Sequence, residues 1–216
     1  MFAQGLLMTL FLSLVSVLIG IVIGFLVTIA RMSSNKVLSF FAKFYTDFIR
    51  GTPILVQVFL FYFGLPQIGI PIPSIPGIPG SREIITGIIA ISLNSSAYIS
   101  EIYRSGLQSI DKGQIEAAKS LGLNKKQTLR FVTVPQAIRR VLPALFNEFI
   151  TVTKESSIVS IVGLRDLMYV STLVRAATYR TFESLIVIAI IYFILTSVLT
   201  KILSVIERKL NVHDQS

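Results

Sequence analysis

Residues 2–30 read FAQGLLMTLFLSLVSVLIGIVIGFLVTIA and contain no Asp, Glu, Lys or Arg. About 20 apolar residues suffice to cross the hydrocarbon core as a helix. The stretch does not resemble a cleaved leader, because it lacks a basic start, is too long and ends without a small-residue cleavage pattern. Arg31, Lys36 and Lys43 follow it. Basic residues collect on the cytoplasmic side, so its C-terminal end faces inward and its N-terminus outward. Gly20 and Gly24 form a small-x-x-x-small pair. That spacing permits close helix approach, though a plain lipid-facing span fits it equally well.

The rest of the chain agrees with this beginning. Of 216 residues, 53% are hydrophobic and only 14% charged, where soluble domains carry about 25%. Lipid is the natural solvent for the surplus. The net charge of +9 invites a nucleic-acid reading, but the charges sit in short loops between apolar runs and not on a polar domain. Cysteine is absent, which excludes disulfides, thiolate zinc sites and thiol catalysis. The single histidine, His213, lies in the polar tail, so no metal site is expected.

Moving outward from the first run, residues 36–50 are mixed, aromatic and basic, and read as an interfacial helix. Arg50-Gly51-Thr52-Pro53 punctuates the chain before a second span. Pro66, Pro71, Pro73, Pro76 and Pro79 then crowd one segment, and no helix survives that density. It is expected to be an external loop. A third span follows, then a basic cytoplasmic stretch at 105–134. The expected spans are about 4–30, 51–65, 84–104, 135–157 and 184–206, forming a single membrane domain over 1–216. Ile158 to Leu164 is apolar but short, and Arg165 to Glu183 is expected as a polar outer segment. The fold class is an all-α membrane protein with five transmembrane helices, N-terminus out and C-terminus in. Roughly fifteen of the twenty Lys and Arg residues then fall inside, against Arg82, Arg165, Arg175 and Arg180 outside.

Within the cytoplasmic stretch, Asp111 and Gln114 have capping-box spacing. The helix they start runs through Glu116-Ala117-Ala118-Lys119-Ser120-Leu121 and stops at Gly122, the expected C′ residue. Asn124 and Gln127 offer a second cap, and Pro135 is expected to end that second helix. A helix this short is marginal alone and must be held by packing. Ala117, Ala118 and Leu121 supply a small, close-packing face. Such a helix either lies on its own protein or inserts into a groove of another chain.

Glu116-Ala117-Ala118, Gly122 and Val132-Thr133-Val134-Pro135 together resemble the EAA loop of bacterial ABC-importer permeases. The family usually has Ile and Leu where this chain has Val132 and Val134. The stretches Arg50 to Gln57, Ala97 to Arg104 and Lys154 to Ser157 are similar to its polar amino acid branch, the arginine, histidine and glutamine permease subunits. The resemblance covers nearly the whole chain. It implies a multi-pass protein of the bacterial cytoplasmic membrane that imports polar, cationic or amide amino acids (arginine, histidine, lysine or glutamine) by alternating access. It further implies a second permease subunit, as a homodimer, and an extracytoplasmic substrate-binding protein. A separate ABC ATPase would dock on the coupling helix through Glu116, Ala117, Ala118, Leu121 and Gly122. ATP and Mg would sit on that partner, with no cofactor on this chain. In agreement, no Gly-x-x-x-x-Gly-Lys-Ser/Thr occurs here to cradle phosphates.

Ionisable groups inside spans are costly and point to function. Lys154 and Glu155 project about 100° apart on the fourth span. Either they bind the carboxylate and ammonium of an amino acid, or they join spans in a structural salt bridge. Ser156 adds a hydroxyl where the helix could unwind. Asn94 bonds across helices or to ligand, Tyr98 lies one turn on, and Gln57 follows the Pro53 break. Asp166 and Glu148 are weaker candidates. Glu101 and Arg104 have the spacing of an intrahelical pair. Two other classes compete: an ion-gradient-driven secondary transporter or channel, and a non-transporting membrane scaffold.

Overall fold

The computed structural model describes residues 1–211, so His213 lies outside the described residues. Among them every regular element is a helix. Three helices are long and apolar enough to cross a membrane alone: α1 (Phe2–Arg31), α5 (Ser81–Gln108) and α10 (Thr181–Asn211). Two bent assemblies raise the possible crossings to five.

The first joins α2 (Lys36–Gly51) to the run α3 (Ile54–Phe59), a π turn (Leu60–Gly64) and α4 (Leu65–Gln67), with a bend of 105°. Asn35 caps α2, its side chain accepting from the amides of Val37 and Leu38. The bend falls at Thr52 and Pro53, both extended, because Pro53 has no amide to continue α2 and its ring disfavours helix in the residue before it.

The second assembly begins with α6 (Lys112–Ser120) and α7 (Lys125–Thr128), followed by a π turn (Leu129–Thr133) and α8 (Val134–Glu155). A 3-10 stretch (Ser156–Val162) and then α9 (Leu167–Thr178), bent by 47°, complete it. Here the sequence expectations need correction. Pro135 does not end the second loop helix. The wide turn before it absorbs the missing amide and the ring, so α7 runs on into α8. The fourth apolar run also continues past residue 157 as the 3-10 stretch. Arg165 to Glu183 is largely helical, with Asp166 as N-cap of α9, its Oδ1 accepting from Tyr169 N at 2.8 Å.

The core is a seam between α1 and α5, which run parallel. A Cβ on Gly20 would lie 3.4 Å from Ser92 O, and one on Gly24 2.9 Å from Ser96 O. Thr28 donates to Ser100 O at 3.2 Å, and Arg31 pairs with Glu101. Gly20 and Gly24 thus serve close approach within this chain. Two parallel helices require the segment between them to return across the membrane, which is the work of the α2–α4 assembly. The starts of α1 and α5, with the end of the proline-rich loop and the turn at Gly163, gather at one end, where Met8, Pro79, Glu83, Gly163 and Arg165 border a cavity of about 270 Å³. The opposite end carries Arg31, Glu101, Arg104 and the α6–α7 loop.

Candidate functional site

Near the middle of α1 and α5, three polar contacts cross the interior. Ser13 donates to Ser156 Oγ at 3.4 Å. Ser95 donates to Glu148 Oε1 at 3.0 Å. Asn94 donates through Nδ2 to Gln57 Oε1 at 3.1 Å. The last two residues are buried and occupied with each other. Gln57 Nε2 also donates to Ile49 O at 2.8 Å, Thr52 O at 3.1 Å and Thr52 Oγ1 at 2.9 Å. Its amide therefore clasps the α2–α3 bend, satisfying carbonyls that Pro53 leaves without helical donors. Gln57 thus follows the Pro53 break, as read from the sequence, and its side chain holds that bend. Asp166 is fully buried, its Oδ1 taken by Tyr169 N while its Oδ2 has no hydrogen-bond partner among the described residues, and Ser156 donates to Thr153 O at 3.0 Å.

Lys154 and Glu155 behave otherwise. Both are exposed on the surface of the chain. Among the described residues, neither takes part in an ion pair. The salt-bridge alternative is thus not realised within this chain. Glu148 and Glu155 are seven residues apart on α8, so they lie within about 20° of each other on one face and about 10 Å apart along it. Glu155 is near enough for its charge to act on Glu148. The two carboxylates form an acidic stripe along α8, and the Lys154 ammonium is near enough for its charge to act on Glu155. Glu148 had little signal in the sequence because its partner Ser95 lies on another helix, 53 residues away.

At the other end, Glu101 gathers three guanidiniums. Arg31 binds Oε1, Arg104 binds Oε2 at 2.7 Å, and Arg50 approaches to 3.5 Å. The expected Glu101–Arg104 pair is present, but two neighbours from other helices join it. Tyr98 lies beneath Arg50, with the guanidinium 5.4 Å from the ring centre. Tyr98, one turn on from Asn94 along α5, thus meets the charge cluster. The signal for this cluster was present in the basic residues that end the first and third spans, which reach one membrane level.

The α6 loop mostly follows its caps. Asp111 accepts from Gly113 N at 2.6 Å, and Gln114 does not close the reciprocal half of the expected box. The full box forms instead at Asn124 and Gln127. Gly122 holds φ 83°, and Leu123 N reaches back to Ala118 O at 3.1 Å, a left-handed stop that suits glycine. Only Ala118 is buried against the chain. Glu116 and Ala117 are exposed, and Leu121 is 81% exposed. The anticipated packing face is split: Ala118 turns inward, while Ala117 and Leu121 turn out.

The profile of binding-protein-dependent transport system inner membrane components matches residues 2–212. The chain belongs to this family. It is 41% identical over 212 residues to the arginine transport system permease protein ArtQ of Bacillus subtilis, covering 98% of this chain and 93% of that one. It is 40% identical over 210 residues to a putative glutamine transport system permease protein of Rickettsia typhi, covering 97% and 93%. A crystal structure of an amino acid ABC transporter with histidines superposes with a TM-score of 0.89 at 45% identity, covering 96% and 93%. The MetNI methionine ABC transporter in an inward-facing form shares the fold, with a TM-score of 0.76 at 20% identity over 96% and 95% of the chains. As a permease component, this multi-pass protein of the cytoplasmic membrane is a transport subunit and not a catalyst. ATP hydrolysis belongs to a separate subunit of such systems.

Proposed function

We propose that this permease carries polar α-amino acids inward, favouring cationic side chains (arginine, lysine, histidine) over glutamine. The observation that carries this reading is the acidic stripe of Glu148 and Glu155 on α8, neither of which is in an ion pair among the described residues. A guanidinium or ammonium held there gains charge-assisted hydrogen bonds in a poorly hydrated site. Lys154, beside the stripe, supplies a donor for the substrate carboxylate. The 3-10 stretch that begins at Ser156 leaves backbone groups available, as broken helices do at other transport sites. Asn94, Gln57 and Tyr98 act from behind, holding the bend and the inner end in place.

In this reading five crossings run N-terminus out to C-terminus in, and two copies of the chain enclose the pathway. A binding protein delivers substrate to the end lined by Glu83 and Arg165. ATPase subunits carrying ATP and Mg take the α6 helix, with Glu116, Ala117, Leu121 and the Gly122 stop at the contact. Closure of the ATPases moves α6, and α7 transmits that motion without a break into α8, which carries the acidic stripe. Alternating access follows from that rigid connection.

The test uses the complex with its ATPase and binding protein in proteoliposomes. Arginine or lysine should stimulate ATP hydrolysis more than glutamine, and glutamate not at all. Glu155→Gln should lower arginine-stimulated turnover about ten-fold, the loss expected for one charged hydrogen bond. Equal stimulation by glutamate, or uptake that proceeds without ATP, would sink the proposal.

A further inference from the structure

The Glu101 cluster holds more positive charge than its own pairing uses. Arg31 and Arg104 each take one carboxylate oxygen of Glu101. Arg50 stands at 3.5 Å, beyond a good hydrogen bond, with its side chain 41% exposed. It rests on the Tyr98 ring, 5.4 Å from the ring centre, and among the described residues no hydrogen bond to another side chain holds it there. Arg50 also ends a polar stripe on α2. Lys36, Lys43, Asp47 and Arg50 follow at spacings of seven, four and three, which keeps them on one side of the helix. The buried side of α2 is Ala42, Thr46 and Ile49. Facing away from the protein, beside the stripe, are Phe40, Phe44 and Phe48, all exposed. The charged groups on or against this surface are therefore Lys36, Lys43, Arg31, Arg50 and Arg104, opposed only by Asp47 and Glu101.

We propose that this surface binds an anionic phospholipid, its phosphodiester on Arg50 and its acyl chains over Phe40, Phe44 and Phe48. Charge complementarity selects the occupant. Three guanidiniums on one carboxylate leave surplus positive charge that needs an anion, the aromatic ridge next to it needs an apolar cover, and an anionic lipid supplies both in one molecule. A guanidinium presents paired donors to phosphate oxygens. Lys36 and Lys43 add attraction to an anionic surface. Arg50 lies just before the α2–α3 bend that Gln57 clasps, so a lipid held there braces the bend at the membrane surface. The inference rests on the placement of this end of the seam at a membrane surface. It does not depend on what the pathway carries.

The experiment is native mass spectrometry of the permease–ATPase complex, released from micelles holding equal phosphatidylglycerol and phosphatidylcholine. Phosphatidylglycerol should be retained in preference. Arg50→Gln should cut that preference about five-fold, the weight of one basic residue at an anionic surface. Arg50→Lys should keep most of it, and Lys209→Gln on α10 should leave it unchanged. Should Arg50→Gln assemble poorly, Lys43→Gln is read in the same assay and should lower the preference in the same direction. Equal retention of the two lipids by the unaltered complex would overturn the proposal, as would a preference unmoved by these α2 variants. Displacement of the lipid by millimolar inorganic phosphate would show a site for a free anion and also overturn it. The chain has no cysteine, so Phe44→Cys gives a single thiol. Disulfide formation between two such chains, independent of lipid, would mean that a second copy covers the ridge and would equally overturn it.

Discussion

Helices α5 and α10 are both long enough to span a membrane, yet they occupy opposite positions. Within its most apolar window α5 is 61% buried, and α10 only 6%. The buried helix is the more polar of the two. It carries Asn94, Ser95, Ser96 and Ser100 where neighbours come closest, while α10 presents Phe193, Ile194, Val198 and Ile202 to the outside. In water this would be inverted. In lipid, tails are as apolar as leucine, so greasy side chains gain little by turning inward, and small or hydrogen-bonding residues hold helices together. Polarity, not hydrophobicity, marks the centre of this protein.

That contrast breaks hardest at Gly24. A side chain there meets Ser96 O and Ile99, and the carbonyl is fixed by its own helix. Gly24→Ile should cost about 3 kcal/mol, the upper range for overpacking, and is expected to abolish the folded peak in size-exclusion chromatography. Gln57→Leu comes next. It removes a donor from Ile49 O and Thr52 O and should cost about 2 kcal/mol as a lower thermal midpoint. Phe193→Ala, on α10, should shift that midpoint of the isolated chain by less than about 0.5 kcal/mol, as surface changes do. A loss at Phe193 rivaling that at Gly24 would end the distinction between the two helices.

The helices made by uninterrupted apolar runs were legible in the sequence, because the length and lack of charge of residues 2–30 already mark a helix long enough to cross. The bent crossings were less so. Pro135 signals a helix end only when the turn before it is regular, and the wide turn at Leu129–Thr133 removed that condition. The short apolar segment at 158–164 continued the helical path in tighter 3-10 form, which has no strong periodic signature. In the site, Lys154 and Glu155 stood out because charges are rare in spans. The hinge role of Gln57 was hidden, since it depends on where the carbonyls of Ile49 and Thr52 point after the 105° bend. Around Glu101, Arg104 has the spacing of an intrahelical pair, but Arg31 and Arg50 lie far away in sequence and come to it only through the packing of α1 and α2 on α5.

The claim on which transport depends is that α6 lies on the cytoplasmic face and is gripped by the ATPase. Lys119 is exposed on that helix, and the absence of native cysteine makes Lys119→Cys a unique thiol. Cross-linking of this variant in the assembled complex, with the same cells probed by a membrane-impermeant thiol reagent, addresses the claim directly. The account predicts a cross-linked band containing the ATPase and no labelling from outside. Labelling of intact cells, with no cross-link to the ATPase, would contradict it.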